Sequence, residues 1–375
     1  PSLSYFVPGV GTLNKEDGTP APPALTGDIL PFDIVVNSQY ANLIERFDTN
    51  GQLVWRYQQP GAFRAVMVYG DQVVFTYASQ VYFVDVRNGL LQRTVTLGEA
   101  NSCIEFANQL DDDHLLVARG TSCYDGAEYT IEYWSLSDGL IWSNPYSTTY
   151  PRWADAQGST VAIADTYGHR VYAVDMNTNA LITDVSAFYP GDVRFVDDGV
   201  ILITEEHADR VWTYNYKTGD KALILSAPDE RSDLTLSFDE VLALSMSAER
   251  RIYPSVSTYK SKSAVEFSGI TTLYAPNGAV QLPDGSYYIA DCDNQRVIHV
   301  SSSGQVLSEL GLFNNPTKVA FVSDPKADPI VSWNAIGLLD ASTWSGSPTF
   351  ESPAANVWMR SDDYVRVDTR KDYQI

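Results

Sequence analysis

The stretch NGAVQLPDGSYYIADCDNQRVIHVSSSGQVLSEL, residues 277 to 310, decides the fold. It holds four short apolar runs, GAVQL, SYYIAD, RVIHV and QVLSEL, separated by Gly, Asp, Asn and Ser, the residues that set tight turns. Runs of this length with β-branched and aromatic residues read as strands, and four in succession read as an antiparallel meander. The second run ends in Asp291, a four-residue turn follows, and Arg296 opens the third. VAIADTYGHRVYAVD (161 to 175) and ILITEEHADRVWTYN (201 to 215) repeat that plan: a strand ending in an acid, a four-residue turn, an Arg, and a strand beginning with Val. Weaker copies lie at 33 to 48, 72 to 85 and 114 to 135.

The later strands of these pairs start at Ile44, Val81, Ile131, Val171, Val211 and Val297, a period of about forty residues broken by one gap of about twice that. Four antiparallel strands at this period make a propeller blade, so the expected fold is all-β, a single β-propeller over residues 31 to 323. Residues 277 to 310 resemble an NHL repeat, and the wider set is similar to the NHL, quinoprotein-like and arylsulfotransferase-like propellers. The resemblance implies fold above all. For an enzyme of the arylsulfotransferase-like type it would require a histidine near the central channel, and none of His114, His169, His207 and His299 matches that role residue by residue.

The long gap is read as hiding one diverged unit at VLALSMSAERRIYPSVSTY, 241 to 259. With KVAFV (318 to 322) joining the N-terminal partial unit, the ring closes with seven blades and leaves no open edge. PIVSWNAIGLLDAST (329 to 343) would supply strands for an eighth as the alternative. Residues 1 to 30, rich in Pro and Gly and without sustained period, read as an extended N-terminal arm, and residues 324 to 375 as a C-terminal extension and tail.

Asp plus Glu number 47 against 25 Lys plus Arg, a formal net charge of -22. Such a chain repels phosphate backbones and anionic headgroups, so nucleic acid is disfavoured as a partner. No apolar stretch reaches the roughly 20 residues that span a bilayer, and the N-terminus has no basic-then-apolar signal pattern, so no membrane insertion and no signal peptide are expected.

The recurring pairs Asp165 with Arg170, Glu205 with Arg210 and Asp291 with Arg296 place three carboxylates on one rim, because loops between second and third strands all leave a propeller on the same face. Oxygen ligands of this kind suit Ca2+. Since an arginine recurs with each acid, ion pairs that staple the hairpins are the favoured reading, and no cofactor is expected. His169 and His207 lie in corresponding loops of successive units. Trp153 begins a blade beside Arg152 and Asp155, where aromatic and polar groups would grip a sugar or peptide. These five are the ligand-binding candidates. A Cys103 to Cys123 disulfide would pin the loop 120 to 129, and Cys292 has no partner.

No GxSxG, HExxH, P-loop or GxGxxG in a strand-to-helix setting occurs. The expected function is therefore a non-catalytic interaction or adhesion module. It would be a structural component of a virion surface or tail or of a cell-surface array, extracellular, held by protein partners through its arm and tail, and able to take a receptor or glycan. The alternative is a propeller enzyme, a lyase, sulfotransferase-like or lactonase-like hydrolase, with a metal or histidine on the loop rim.

Overall fold

The computed structural model describes residues 24–58, 65–98, 102–121, 128–227, 230–247, 272–311, 313–323 and 333–335. They form a β-propeller of six antiparallel blades. Blade one takes its inner strand from the end of the chain, Pro316–Val322, and continues outward through Asp33–Ser38, Leu43–Phe47 and Leu53–Gln58. Blades two to six begin with the inner strands Val66–Tyr69, Cys103–Gln109, Pro151–Gln157, Pro190–Asp197 and Pro276–Gln281, each followed outward by three more strands in chain order.

The closure read from KVAFV is present: Val319 pairs with Val36 and Phe321 with Ile34. The expected count of seven blades, or eight, is corrected to six. Where a hidden unit was expected, Phe238–Ser247 is an α-helix, and residues 248–271 lie outside the described residues. Its start is a capping box, in which the Ser237 hydroxyl donates to Glu240 Oε2 at 2.7 Å while Glu240 N donates to Ser237 Oγ at 3.4 Å. The doubled gap is thus an insertion between blades five and six.

The eighth-blade segment contributes Trp333–Ala335, a short strand laid parallel on the outer edge of blade one. Part of the segment read as an extended arm is a strand of the propeller: Ala24–Gly27 pairs antiparallel with Val306–Gly311 as a fifth strand of blade six. That part of the segment docks on its own propeller, and residues 1–23 lie outside the described residues.

The turns between third and fourth strands share one device. Asp85, Asp175 and Asn215 each accept backbone N–H groups of the turn on their side chains, and the turns end on Gly89, Asn179 and Gly219 at φ 69, 59 and 84. Only glycine or asparagine adopts that left-handed region cheaply, which is why those residue types recur there. Inward-facing Val, Ile, Ala and aromatic residues interleave between blades, with Trp55, Trp153 and Trp212 fully buried.

Three blades carry a common clamp at the end of their second strand. Asp291 Oδ2 accepts from Arg296 Nε at 2.8 Å while its Oδ1 accepts from Tyr274 N at 2.7 Å, and Arg296 Nη2 donates to Thr272 O at 3.0 Å. Asp165 does the same with Arg170 Nε at 3.0 Å and Thr149 N at 2.6 Å, and Arg170 Nη2 reaches Ser147 O at 3.0 Å. Glu205 is paired with Arg210, whose Nη1 donates to Arg231 O at 2.9 Å. Asp291 and Asp165 therefore join their own hairpins to the loop that enters the same blade; Glu205 does so through the Phe188 backbone, and Arg210 adds a tie to the segment that leaves blade five. Side-chain exposure is 1% for Arg296 and 33% for Arg170. Truncating Arg296 to Ala leaves a fully buried carboxylate without its cation and is expected to cost ~3–5 kcal/mol. Arg170→Ala is expected to cost clearly less, since solvent screens that pair. Urea denaturation of the two variants checks the order, and equal losses would show that burial of the clamp does not set its worth.

Candidate functional site

Loops that lead into inner strands and loops between second and third strands open on the same face, around the mouth of the central channel. Four inner strands begin alike. Tyr150, Tyr189, Ala275 and Asn315 adopt φ of 58, 58, 49 and 59, and a proline follows each. Pro151, Pro190 and Pro276 then pair with the clamp acids Asp165, Glu205 and Asp291, and Pro316 with Ser38. The ladder slips at the next residue, leaving Arg152, Gly191, Asn277 and Thr317 as bulges. A left-handed non-glycine residue before proline costs on the order of 1–3 kcal/mol, so the starts at Tyr150, Tyr189 and Ala275 persist because the clamps over-determine the loop.

Three of the bulged residues, Arg152, Asn277 and Thr317, line a cavity with Gln39, Glu105, Tyr150 and Lys318. Its volume is ≈ 30 Å³, room for about one or two waters. Arg152 forms an ion pair with Glu206, whose Oε2 also accepts from Asn277 Nδ2 at 2.8 Å. The guanidinium lies 5.0 Å from the Tyr189 ring centre and 5.6 Å from that of Tyr150. Burial works against its charge, but Glu206 and the neighbouring tyrosines hold it more firmly protonated than usual.

Lys318, 2% exposed, reaches across the channel to donate to Gly191 O and, at 3.0 Å, to Asn277 O. Its Nζ stands 3.7 Å from Asp192 Oδ2 and 5.3 Å from the Trp153 ring centre. Two glycines make this passage: a Cβ on Gly191 would meet Asn277 O at 2.7 Å, and one on Gly278 would meet Thr317 O at 2.9 Å and Lys318 Cδ at 3.1 Å. Burial pushes the Lys318 ammonium down to about 8, against the pull of Asp192.

An aromatic cluster rims the mouth on blades four and five. Tyr150 stacks on Tyr167 at 4.9 Å, Tyr167 meets Tyr189 at 5.4 Å, and Tyr189 lies parallel to His207 at 4.0 Å. Tyr167 and His207 are the exposed members. His169 packs against Phe188 and, at 4.8 Å, against Phe238 of the helix.

Of the residues singled out from the sequence, Arg152, His169 and His207 are brought together here. Trp153 is corrected: it is wholly buried in the channel wall, with Arg194 4.3 Å and Lys318 5.3 Å from its ring centre, and offers no open face to a sugar or peptide. Asp155 lies deeper on the same strand, accepting from Phe195 N and Asn108 Nδ2 at 2.9 Å each, and burial raises its carboxyl above the usual range. Asp165, Glu205 and Asp291 are not gathered around one point; among the described residues no cluster of three or more His, Cys, Asp or Glu side chains is arranged to hold a metal. Their arginines Arg170, Arg210 and Arg296 occupy them. His114 sits with Asp111 at 2.8 Å on a turn, and His299 with Ser286 Oγ at 2.9 Å. Cys103 is disulfide-bonded and Cys292 is a free thiol; Cys123 lies outside the described residues. Lys318, Glu206, Tyr189 and Asn277 were not anticipated. The repeated residue-Pro steps YPRW (150), YPGD (189), APNG (275) and NPTK (315) were the available signal.

Residues 15–182 match the family model described as outer membrane protein assembly factor BamB. No curated protein compared with the chain matches it. Among solved structures, a Bacteroides caccae protein of unknown function superposes with a TM-score of 0.55 at 14% identity, covering 78% of this chain and 100% of that one. A chain of a nidogen/laminin complex gives 0.52 at 9% identity, covering 77% and 97%. At these identities the likeness is one of fold, a β-propeller.

Lys318 supplies a pH test of the mouth. Its folded value of about 8 lies below the ordinary 10.5, so between these the unfolded chain binds more protons and stability gains as pH rises. Wild type should gain on Lys318→Met across that window and run parallel to it below. Urea unfolding at a series of pH values measures the difference, and profiles parallel throughout would show that Lys318 folds with an ordinary affinity for its proton.

Proposed function

We propose that this chain is a non-catalytic interaction propeller, a structural component of a larger extracellular or particle-surface assembly, and that it meets a protein partner with its channel-mouth face. The observation that carries the reading is the combination at that mouth. The ionic groups Arg152, Glu206 and Lys318 are satisfied by one another and by backbone carbonyls around a cavity of ≈ 30 Å³, while aromatic rings face outward at Tyr167 and His207. Groups that neutralise each other inside have little left for turnover, whereas rigid Tyr and His rings supply contact area at low entropic cost. The family model that matches residues 15–182 carries the description of an assembly factor, which agrees with such a role. The NHL-like character read in residues 277 to 310 belongs to the same proposal.

Attachment through the two ends fits the topology. Ala24–Gly27 and Trp333–Ala335 lie on the outer edges of blades six and one, which are neighbours in the ring. A disulfide at Cys103 is in keeping with an oxidising compartment. With a net charge of -22, the chain favours a partner face that carries cations, or a salt-rich medium that screens the repulsion.

Site-specific photo-cross-linkers decide between faces. Placed at Tyr167 or His207 in the organism that makes the protein, they should give one adduct of defined mass. Placed at Lys217, in a turn between third and fourth strands on the opposite face, they should give none. Equal labelling from both faces, or adducts from Lys217 alone, would remove the mouth from the proposal.

A further inference from the structure

The insertion between blades five and six returns to the mouth face. Its first turn, Glu230–Ser232, is tied down by Arg210, which donates to Arg231 O at 2.9 Å and Asp233 O at 3.1 Å, and by the Arg231 to Asp209 ion pair. Beyond that anchor the helix Phe238–Ser247 is held by apolar contact: Phe238, Val241 and Leu242 pack on Phe188 and Ala208. Into the same patch the propeller presents two imidazoles. His169 lies 4.8 Å from Phe238 and 5.4 Å from Phe188, and His207 lies 5.7 Å from Phe188, ring centre to ring centre.

His169 is held in the left-handed region at φ 53, and its Nδ1 is buried with no hydrogen-bond partner among the described residues. Burial of that nitrogen disfavours the protonated ring, which would bring a further N–H donor and a charge against an apolar contact. We infer that the helix Phe238–Ser247 is an acid-released flap, detached from the mouth face when His169 beneath it, with His207 as its neighbour, gains a proton.

The groups facing the pair set the sign. Burial and the neighbouring His207 lower the affinity of His169 for a proton, and Asp165 opposes them. Glu206 Oε1 stands 3.8 Å from Nε2 of the half-exposed His207, and a proton carried there sets a cation beside His169. On the flap, Asp239 and Glu240 are exposed and Glu240 is engaged by Ser237, while in the anchor Arg231 pairs with Asp209, a propeller residue whose carboxyl burial raises to about 6. Releasing the helix returns His169 to water and to its ordinary affinity. The docked state thus binds fewer protons, docking is full above about pH 6.5, and it weakens as pH falls through that value.

Hydrogen exchange on the full chain at about pH 7.5 and about pH 5, corrected for intrinsic rates, reads the flap directly. Amides of residues 238 to 247 should exchange several-fold faster in acid, while strands Thr160–Asp165 and Val200–Glu205 keep their protection. His169→Phe should keep the helix protected in acid. Should that substitution disturb the rim, His207→Gln, at a half-exposed position, should reduce the acid response without loss of protection at the higher pH. Equal protection at both pH values in wild type, acceleration shared by the whole propeller, or an undiminished response in a variant carrying both His169→Gln and His207→Gln would overturn the inference.

Discussion

A carboxylate with no access to water must be met by donors on all sides, and this propeller turns that requirement into its organising contact. Asp291, 0% exposed, is met by Arg296 Nε, Asn294 Nδ2 and Tyr274 N. The arginine belongs to the hairpin and the backbone amide to the loop entering the blade, so the two cannot move apart without leaving a buried charge unpaired. The same acid stands opposite the proline that starts the inner strand. Clamp, left-handed residue, proline and bulge are therefore one unit. Repeated in blades four and six, it aims Arg152 and Asn277 into the channel, while in blade one the left-handed residue, proline and bulge bring Thr317 there without the clamp. Hairpin stability and the shape of the mouth share a cause.

Closure of the ring adds the second constraint. Strand Pro316–Val322 pairs with Asp33–Ser38 across nearly the whole chain, and contacts of that sequence separation are the slowest to form. Lys318 fastens the closure from inside, bonding Gly191 O and Asn277 O on blades five and six. Outside, Ala24–Gly27 and Trp333–Ala335 cover the outer edges of the blades on either side of the seam. The first and last described strands thus lie near the closing junction, where an open strand edge would be most damaging.

What could be read from the sequence follows the range of the interaction. The hairpin acids and arginines are five residues apart, and local chemistry was enough to pair Asp165 with Arg170 and Asp291 with Arg296. KVAFV was recognised as a closing strand because an unpaired apolar strand at each end of a repeat array demands the other. The blade number was misjudged because a doubled period looks the same whether it hides a blade or an insertion. The signal that separates the two is the capping box of Ser237 and Glu240 with apolar residues at 238, 241 and 242, which reading the stretch as a blade passed over. The mouth was the least legible part. Glu206 meets Arg152 across 54 residues and Lys318 meets Gly191 across 127, separations at which only the closed ring makes neighbours. Trp153 was judged by its place at a strand start, yet the bulge after Pro151 turns Arg152 to the cavity and sends the indole into the wall.

The charge balance bears on how such a face works. Arg152, Arg194 and Lys318 lie in or near the channel, each beside a carboxylate of Glu206 or Asp192. Cations paired with carboxylates inside do nothing to offset the acidic excess of the whole chain, 47 Asp plus Glu against 25 Lys plus Arg. Two copies then repel at long range, and association must come from short-range contact with a partner of other charge, or under screening. A rim of mutually stacked rings suits that regime, because its geometry is fixed before the encounter and little entropy is lost on contact. Its rigidity in turn derives from the loop clamps beneath it, since Tyr150 and Tyr189 sit directly after amides held by Asp165 and Glu205.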